Sequence, residues 1–567
     1  MNKSNLSKVS LAIFAFVLLV SFSSNAWAGA TIVINNINLP NVGFNDPTPA
    51  APVGGNPGTT KGQQRLFAFT YAANIWGSTI DSNVPIVINA SFEPLATNVL
   101  GSAGATNVFA NFGQVGLFPG PEFPNTWYGS ALADKRAGAE LNPGFADIRA
   151  RFSSNFNFYL GVDNNHGALN DLVTVLLHEF AHGLNFQTFY DVTSGSNLGP
   201  PFLTDIFARH LLDTSIGLHW DQMTDAQRQA ATLKYGKIVW DGAKVTADAP
   251  NVLSFGSPEV NVLTPSAIAG SYQFGTAAFG PAIANPGITA TVVAAQDPAD
   301  GAGPATTDGC SPFTNAAAIA GKIALVERGT CGFAVKARNA TNAGAIGVII
   351  YNNAANVNAA PPGMADDGIN GAFVTIPAVS LNRADGLALV GNPGAVAQMT
   401  KNLSIRAGAN AANMVRLYAV KPVAPGSSIS HYDTIASRNL LMEPAINPDL
   451  THSVKPPEDL TLNLLRDVGW FADADLDGVA DDVDCEPNSN FSPTVVVDGC
   501  DSGVPNFLFT TGCTLSDRIA HLAAAAKNHG DFVSAVADLL NQLKKDGLIT
   551  GAQKGSLQSC SANANLP

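Results

Sequence analysis

Charge is scarce in this chain. Asp, Glu, Lys and Arg make up 13% of its 567 residues, and the balance is acidic, at −14. No cluster of Lys and Arg marks a face for the phosphates of nucleic acid, so nucleic acid is excluded as a partner. Past the N-terminus no apolar run is long enough to span a bilayer, which excludes a transmembrane segment. Cysteine is confined to positions 310, 331, 485, 500, 513 and 560. The first half therefore offers no disulfide and no thiolate. Histidine occurs only 9 times, so a metal-ligand spacing among these residues stands out from chance. Glycine (53) and proline (35) are plentiful instead, which points to many loops and short strands. The length calls for several domains.

The N-terminus reads as a secretory signal. Lys3 and Lys8 precede an apolar run over 11–22, and Ala26-Trp27-Ala28 is a small-residue cleavage site. The mature chain is expected to begin at Gly29 and to be exported, to the periplasm or the exterior. No Cys lies beside that site to carry a lipid anchor. An even number of cysteines in an exported chain reads as disulfides, and sequence leaves their connectivity open. Nearest-neighbour pairing is the simplest expectation: Cys310–Cys331, Cys485–Cys500 and Cys513–Cys560.

His178-Glu179-Phe180-Ala181-His182 reads HExxH. Leu172, Val175, Leu176 and Phe180 form an apolar stripe at helical spacing. Asn170 and Asp171 are N-cap types, and Gly183 and Asn185 are residue types found at helix ends. Two histidines four apart stand on one helix face, one turn above the other. Their imidazoles can bind one Zn²⁺, and Glu179 on the same side can take a proton from water.

Upstream, 31–34 and 86–92 read as strands, 54–62 as a loop and 63–76 as a helix. Phe158-Tyr159-Leu160 reads as a strand just before the zinc helix, an edge to hold substrate backbone or an ordinary core strand. From about 253 to 410 the chain becomes rich in Ala, Gly, Val and Ile. Its centre runs GKIALVERGTCGF over 321–333, then KARNATNAGAIGVIIYN over 336–352. Strand, loop, helix, strand is the local order. These residues resemble a protease-associated (PA) domain, which implies a non-catalytic lid or binding module attached to a peptidase.

Catalytic zinc needs a third protein ligand. The metzincin pattern HExxHxxGxxH puts Gly and His where this chain has Asn185 and Thr188. Asn tolerates the left-handed backbone that Gly supplies, whereas Thr188 is a poor ligand. The third ligand therefore comes from elsewhere. Ser430-His431-Tyr432-Asp433, followed by Leu441-Met442-Glu443-Pro444, resembles the third-ligand and Met-turn segment of leishmanolysin-like metzincins. That resemblance implies His431 as third ligand, Met442 beneath the metal, and the PA-like stretch as an insertion between the ligands. Asp205 is the alternative, an acidic third ligand; it can also cap a helix or pair with Arg209. His210 sits among apolar neighbours, and His166, His219, His452, His521 and His529 have no motif around them. No cysteine upstream can cap the zinc.

Asp473, Asp475, Asp477, Asp481 and Asp484 surround Gly478 in DADLDGVADDVD. Alternating carboxylates around a glycine are hard oxygen ligands for Ca²⁺. The spacing, with Cys485 after it, resembles a thrombospondin type 3 repeat. The tail reads as two helices, one capped by Ser516 and one over 531–545. The expected architecture is an α+β metzincin-like catalytic domain over 29–252 and 411–471, split by an α/β PA-like insertion at 253–410. A calcium segment (472–505) and a small helical module (506–567) follow the signal (1–28) and these domains. The expected activity is that of a secreted zinc endopeptidase on protein or peptide substrates. A zinc exopeptidase (aminopeptidase) and a non-catalytic adhesive protein on a peptidase fold are the alternatives.

Overall fold

The computed structural model describes residues 29–113, 120–357, 359–471, 479, 481 and 484–566. The signal segment, and Asp473, Asp475 and Asp477 of the acidic segment, lie outside the described residues. The architecture is mixed α and β, with a second α/β unit inserted between residues 254 and 407. No helix among the described residues is long and apolar enough to cross a membrane.

The first sheet is built from β1 (Ile32–Asn36), β2 (Ile86–Glu93), β3 (Gly101–Ala105) and β4 (Ile148–Ser153), in the order β1-β2-β4-β3. The first three in that order run parallel, and β3 pairs antiparallel with β4, leaving β3 at an edge. Helix α1 (Lys61–Gly77) starts where the Thr60 side chain accepts from the Gln63 N–H. It packs Ala68, Phe69, Ala72, Ala73 and Trp76 into the core. Helix α2 (Ser130–Ala137) ends on left-handed Gly138. Helix α3 (Leu172–Gly183) carries the HExxH residues and is capped by Asp171, which accepts from the Thr174 N–H. All twelve of its residues are buried. Gly183 permits the close approach of α3 to β4: a Cβ there would stand 2.6 Å from Ile148.

The insertion holds a larger sheet. Its principal strands are β5 (Phe255–Thr264), β6 (Ile288–Ala294), β7 (Ile323–Glu327), β8 (Gly347–Tyr351), β9 (Ala378–Leu381) and β10 (Val396–Arg406). They run in the order β5-β10-β6-β7-β8-β9, with β6 to β9 parallel. Alternation along the strands divides the core in two. Ala324, Val326, Val348 and Ile350 join one cluster, and Ile323, Leu325, Ile349 and Tyr351 the other. Both faces are covered, as a parallel sheet requires. Helices α4 (Phe333–Asn342) and α5 (Arg383–Val390) belong to this unit. Its two ends meet, since Phe255 pairs with Arg406 and the Ala407 N–H donates to Ser254 O at 2.9 Å.

The chain on both sides of the insertion feeds one core. Leu417, Ile429, Tyr432, Leu440 to Met442, Leu464 and Trp470 join the same cluster as Phe69, Phe152 and Phe180. Helix α6 (Thr461–Asp467) starts where Asp459 accepts the Thr461 N–H, and left-handed Gly469 follows its end. The tail is a hairpin, β11 (Thr494–Val497) with β12 (Cys500–Pro505), under α7 (Leu515–Ala525), α8 (His529–Lys545) and α9 (Gly551–Asn563). Two expectations fail here. Thr514, not Ser516, caps α7, since its side chain accepts from the Asp517 N–H. The tail disulfides are Cys485–Cys513 and Cys500–Cys560, whereas Cys310–Cys331 does pair with its neighbour. The unforeseen α9 is the reason: it lies along β12 and carries Cys560 to Cys500.

Candidate metal centre

Three imidazoles converge under the first sheet. The Nε2 atoms of His178 and His182 are 3.2 Å apart, and that of His431 stands 3.2 Å from His178 and 3.3 Å from His182. Each ring is oriented from behind by a backbone carbonyl. His178 Nδ1 donates to Leu441 O at 2.7 Å, His182 Nδ1 to Phe186 O at 2.8 Å and His431 Nδ1 to Ser427 O at 2.8 Å. A carbonyl only accepts, so every Nδ1 carries the proton and every Nε2 turns a lone pair inward. Three lone pairs with no hydrogen between them suit one metal ion. Nitrogens bound tetrahedrally at about 2.0–2.1 Å from one zinc stand about 3.3 Å apart, and the residues present fit that group. Burial keeps the rings neutral: His178 is pushed down to about 4 and His182 to about 3, and His431 lies well below its ordinary value.

The elements explain the positions. His178 and His182 share a face of α3. The chain then reverses at Asn185, whose φ of 84° is left-handed. This turn carries Phe186 O back to His182, and Asn185 Oδ1 accepts the Gly129 N–H at 3.0 Å. Trp76 and Trp470 fix the helix from both sides through their indole N–H groups, on Leu177 O and Leu184 O. Met442 is fully buried, and its carbonyl accepts the Tyr432 N–H at 2.8 Å. The turn holding Met442 thus supplies the Leu441 carbonyl behind His178 and sits one residue from His431.

Glu179 is 9% exposed, and its Oε2 accepts the Ala103 N–H of β3 at 2.9 Å. Burial pushes its carboxyl up to about 8, against the opposing pull of that N–H. Together with the three histidines it lines a cleft of about 710 Å³, walled also by 98–103, Val175, Gln187, Tyr190, 425–428 and 444–446. Among the described residues, Glu179 is the only carboxylate in that wall.

Asp205 stays out of the cluster. It is 1% exposed and accepts from the Phe189 N–H, the Thr188 hydroxyl and the Ala208 N–H, so its oxygens are spent on holding the chain after α3. Arg209 pairs with Asp221 at 3.1 Å instead of Asp205. His210 lies against Trp240, with ring centres 5.0 Å apart. Asp481 and Asp484 are described, and Asp484 Oδ1 accepts the Glu486 N–H at 2.9 Å.

Sequence reasoning missed the strand beside the site. Phe158–Tyr159 pairs with Asn170–Asp171 at the head of α3, away from the cleft wall. The edge strand in the wall is β3, Gly-Ser-Ala-Gly-Ala, which has no β-branched or aromatic residue to announce it. Its small residues serve close packing: a Cβ on Gly101 would lie 3.0 Å from Glu179 Cγ.

Comparison with known proteins identifies one part of the chain. Residues 288–389 match the PA domain family. The ER degradation-enhancing alpha-mannosidase-like protein 3 of Xenopus laevis is 49% identical over 81 residues, 14% of this chain and 9% of that protein. An aminopeptidase of Pseudomonas aeruginosa is 52% identical over 65 residues, 12% of each. The chain thus spans about a tenth of the length of the curated relatives it matches. Their printed activities differ, so the likeness carries no single reaction. Among solved structures, a zinc aminopeptidase from Bacillus subtilis is 22% identical over 28% of this chain and 36% of that one, with a TM-score of 0.20.

Proposed function

We propose that this chain is an exported zinc-dependent endopeptidase of metzincin type, with His178, His182 and His431 as ligands and Glu179 as general base. The observation that carries the reading is the convergence of three proton-free Nε2 atoms beside a buried carboxylate in an open cleft. Zinc held by His178, His182 and His431 would supply a water molecule of lowered pKa and an electrophile for the scissile carbonyl. Glu179 Oε1, the oxygen not given to Ala103, takes the proton of the attacking water and later returns it to the leaving amine. β3 supports substrate binding. Ser153 N–H of β4 donates to Leu100 O beside β3, and Thr106 N–H just past β3 donates to Asp147 O at the foot of β4. The even-numbered residues of β3 therefore face β4, and Gly101 and Ala103 face the cleft, where an extended peptide can add as a further strand.

Among the described residues no second carboxylate stands in the wall to meet a free α-ammonium, which supports cleavage within chains over removal of N-terminal residues. The test is cleavage of a denatured protein, before and after zinc removal, with product ends mapped. Internal cuts restored by zinc are expected; products shortened one residue at a time from free N-termini would favour the exopeptidase. The PA domain acts as a substrate-gating module, and residues 472–505 as a calcium-stiffened linker. Equal proteolysis of that linker with and without calcium would refute the latter role.

A further inference from the structure

Away from the histidines, the described residues bring one other set of ligating side chains together. Asp134 in α2, Glu140 in the loop after it and Asp147 at the foot of β4 offer carboxylate oxygens within 4.8 Å of one another. Asp134 and Asp147 are each 2% exposed. Neighbouring cations face elsewhere: Lys135 lies 4.0 Å from Asp81, and Arg136 3.6 Å from Glu122. Backbone N–H groups orient each carboxylate through one oxygen. Leu141 N–H donates to Asp134 Oδ1 at 2.9 Å, Asn142 N–H to Glu140 Oε1 at 3.0 Å and Val87 N–H to Asp147 Oδ2 at 2.7 Å. Asp134 Oδ2 is sealed from solvent and meets no donor. A buried carboxylate oxygen without a donor, on a residue that stands close to two more carboxylates, is satisfied by a cation or by a proton shared with Asp147.

We propose that Asp134, Glu140 and Asp147 bind a hard divalent cation, calcium as the best match, at a structural site separate from the histidine centre. All donors are oxygens, with no imidazole or thiolate to select zinc. The ligands come from a helix, a loop and a strand, and calcium tolerates such irregular geometry better than magnesium. The cation ties α2 to the start of β4. β4 in turn carries β3, whose Ala103 N–H orients Glu179.

The test uses the zinc-loaded full chain with Asp475→Asn and Asp477→Asn, so that the acidic linker adds no calcium response, dialysed free of calcium and magnesium. Millimolar calcium is expected to raise the thermal midpoint by roughly 5 °C, and magnesium by less. Asp134→Asn keeps the shape and can still bond to Asp147, so it should fold and lose the response. No shift in the parent protein, or an equal shift in Asp134→Asn, overturns the proposal. Unresponsive parent protein with an equally stable Asp134→Asn would assign the cluster to a proton shared by Asp134 and Asp147. Should Asp134→Asn fail to fold, Glu140→Gln decides: at least a tenfold rise in the calcium needed for the shift is expected, and an unchanged requirement refutes the site.

Discussion

Glu179→Gln separates chemistry from architecture. The carboxylate accepts one N–H, from Ala103, through Oε2. A glutamine side chain has the same size, and its carbonyl oxygen can accept the same N–H. It also removes a charge that burial disfavours, as the carboxyl pushed up to about 8 indicates. The fold should therefore be at least as stable. The three histidines are untouched, so zinc stoichiometry should stay at one per chain. Turnover should not survive, because an amide cannot take the proton of the attacking water. Loss of a general base costs roughly 10²- to 10⁴-fold, which is about 3–5 kcal/mol in the barrier. The assay is peptide hydrolysis at matched zinc loading, with metal analysis and thermal melting on the same samples. A variant with more than a few per cent of parent activity would refute Glu179 as the base. One that loses zinc along with activity would show that Glu179 holds the metal.

Three further perturbations test the surrounding structure. Asn185→Ala must adopt a left-handed backbone and loses the bond to Gly129, so denaturant melts should show about 2 kcal/mol of destabilisation, whereas Asn185→Gly keeps the turn and should lose about half as much. Burial raises the Glu443 carboxyl to about 8, above its unfolded value of 4.5; the folded state then holds the extra proton, so stability is full below about 4.5 and falls as pH rises towards 8. Glu443→Gln should flatten that decline, by an amount on the order of a few kcal/mol at pH 8, read from denaturant melts at pH 5.5 and 8; equal slopes in both proteins would refute it. Non-reducing peptide maps should join Cys500 to Cys560, and Cys560→Ser should destabilise the tail by about 4 kcal/mol, since the bond closes a loop with a sequence separation of 60. A map joining Cys485 to Cys500 would overturn the tail packing.

What the sequence by itself determined is what depends on near neighbours along the chain. The α3 helix, its Asp171 cap, the ligand pair at i and i+4, and the left-handed Asn185 all follow from residues within one or two turns. The strands 323–327 and 347–351 were equally legible, because both faces of a parallel strand are apolar and the run is continuous. Motif resemblance added His431, but no local rule brings it across 249 positions to His182. Only the tertiary structure does that, by closing the ends of the insertion at Phe255 and Arg406 so that both flanks build one core. The carbonyls of Leu441, Phe186 and Ser427 were invisible for a related reason: every residue has a carbonyl, and only packing decides which three stand behind the rings. The edge strand β3 escaped because its small residues answer to the space beside Glu179 and not to strand propensity. The tail disulfides escaped because nearest-neighbour pairing ignores α9, whose packing on the hairpin decides which sulfurs meet. Asp134, Glu140 and Asp147 lie within fourteen positions and still formed no pattern in the sequence, since a helix end, a loop and a strand have no common period.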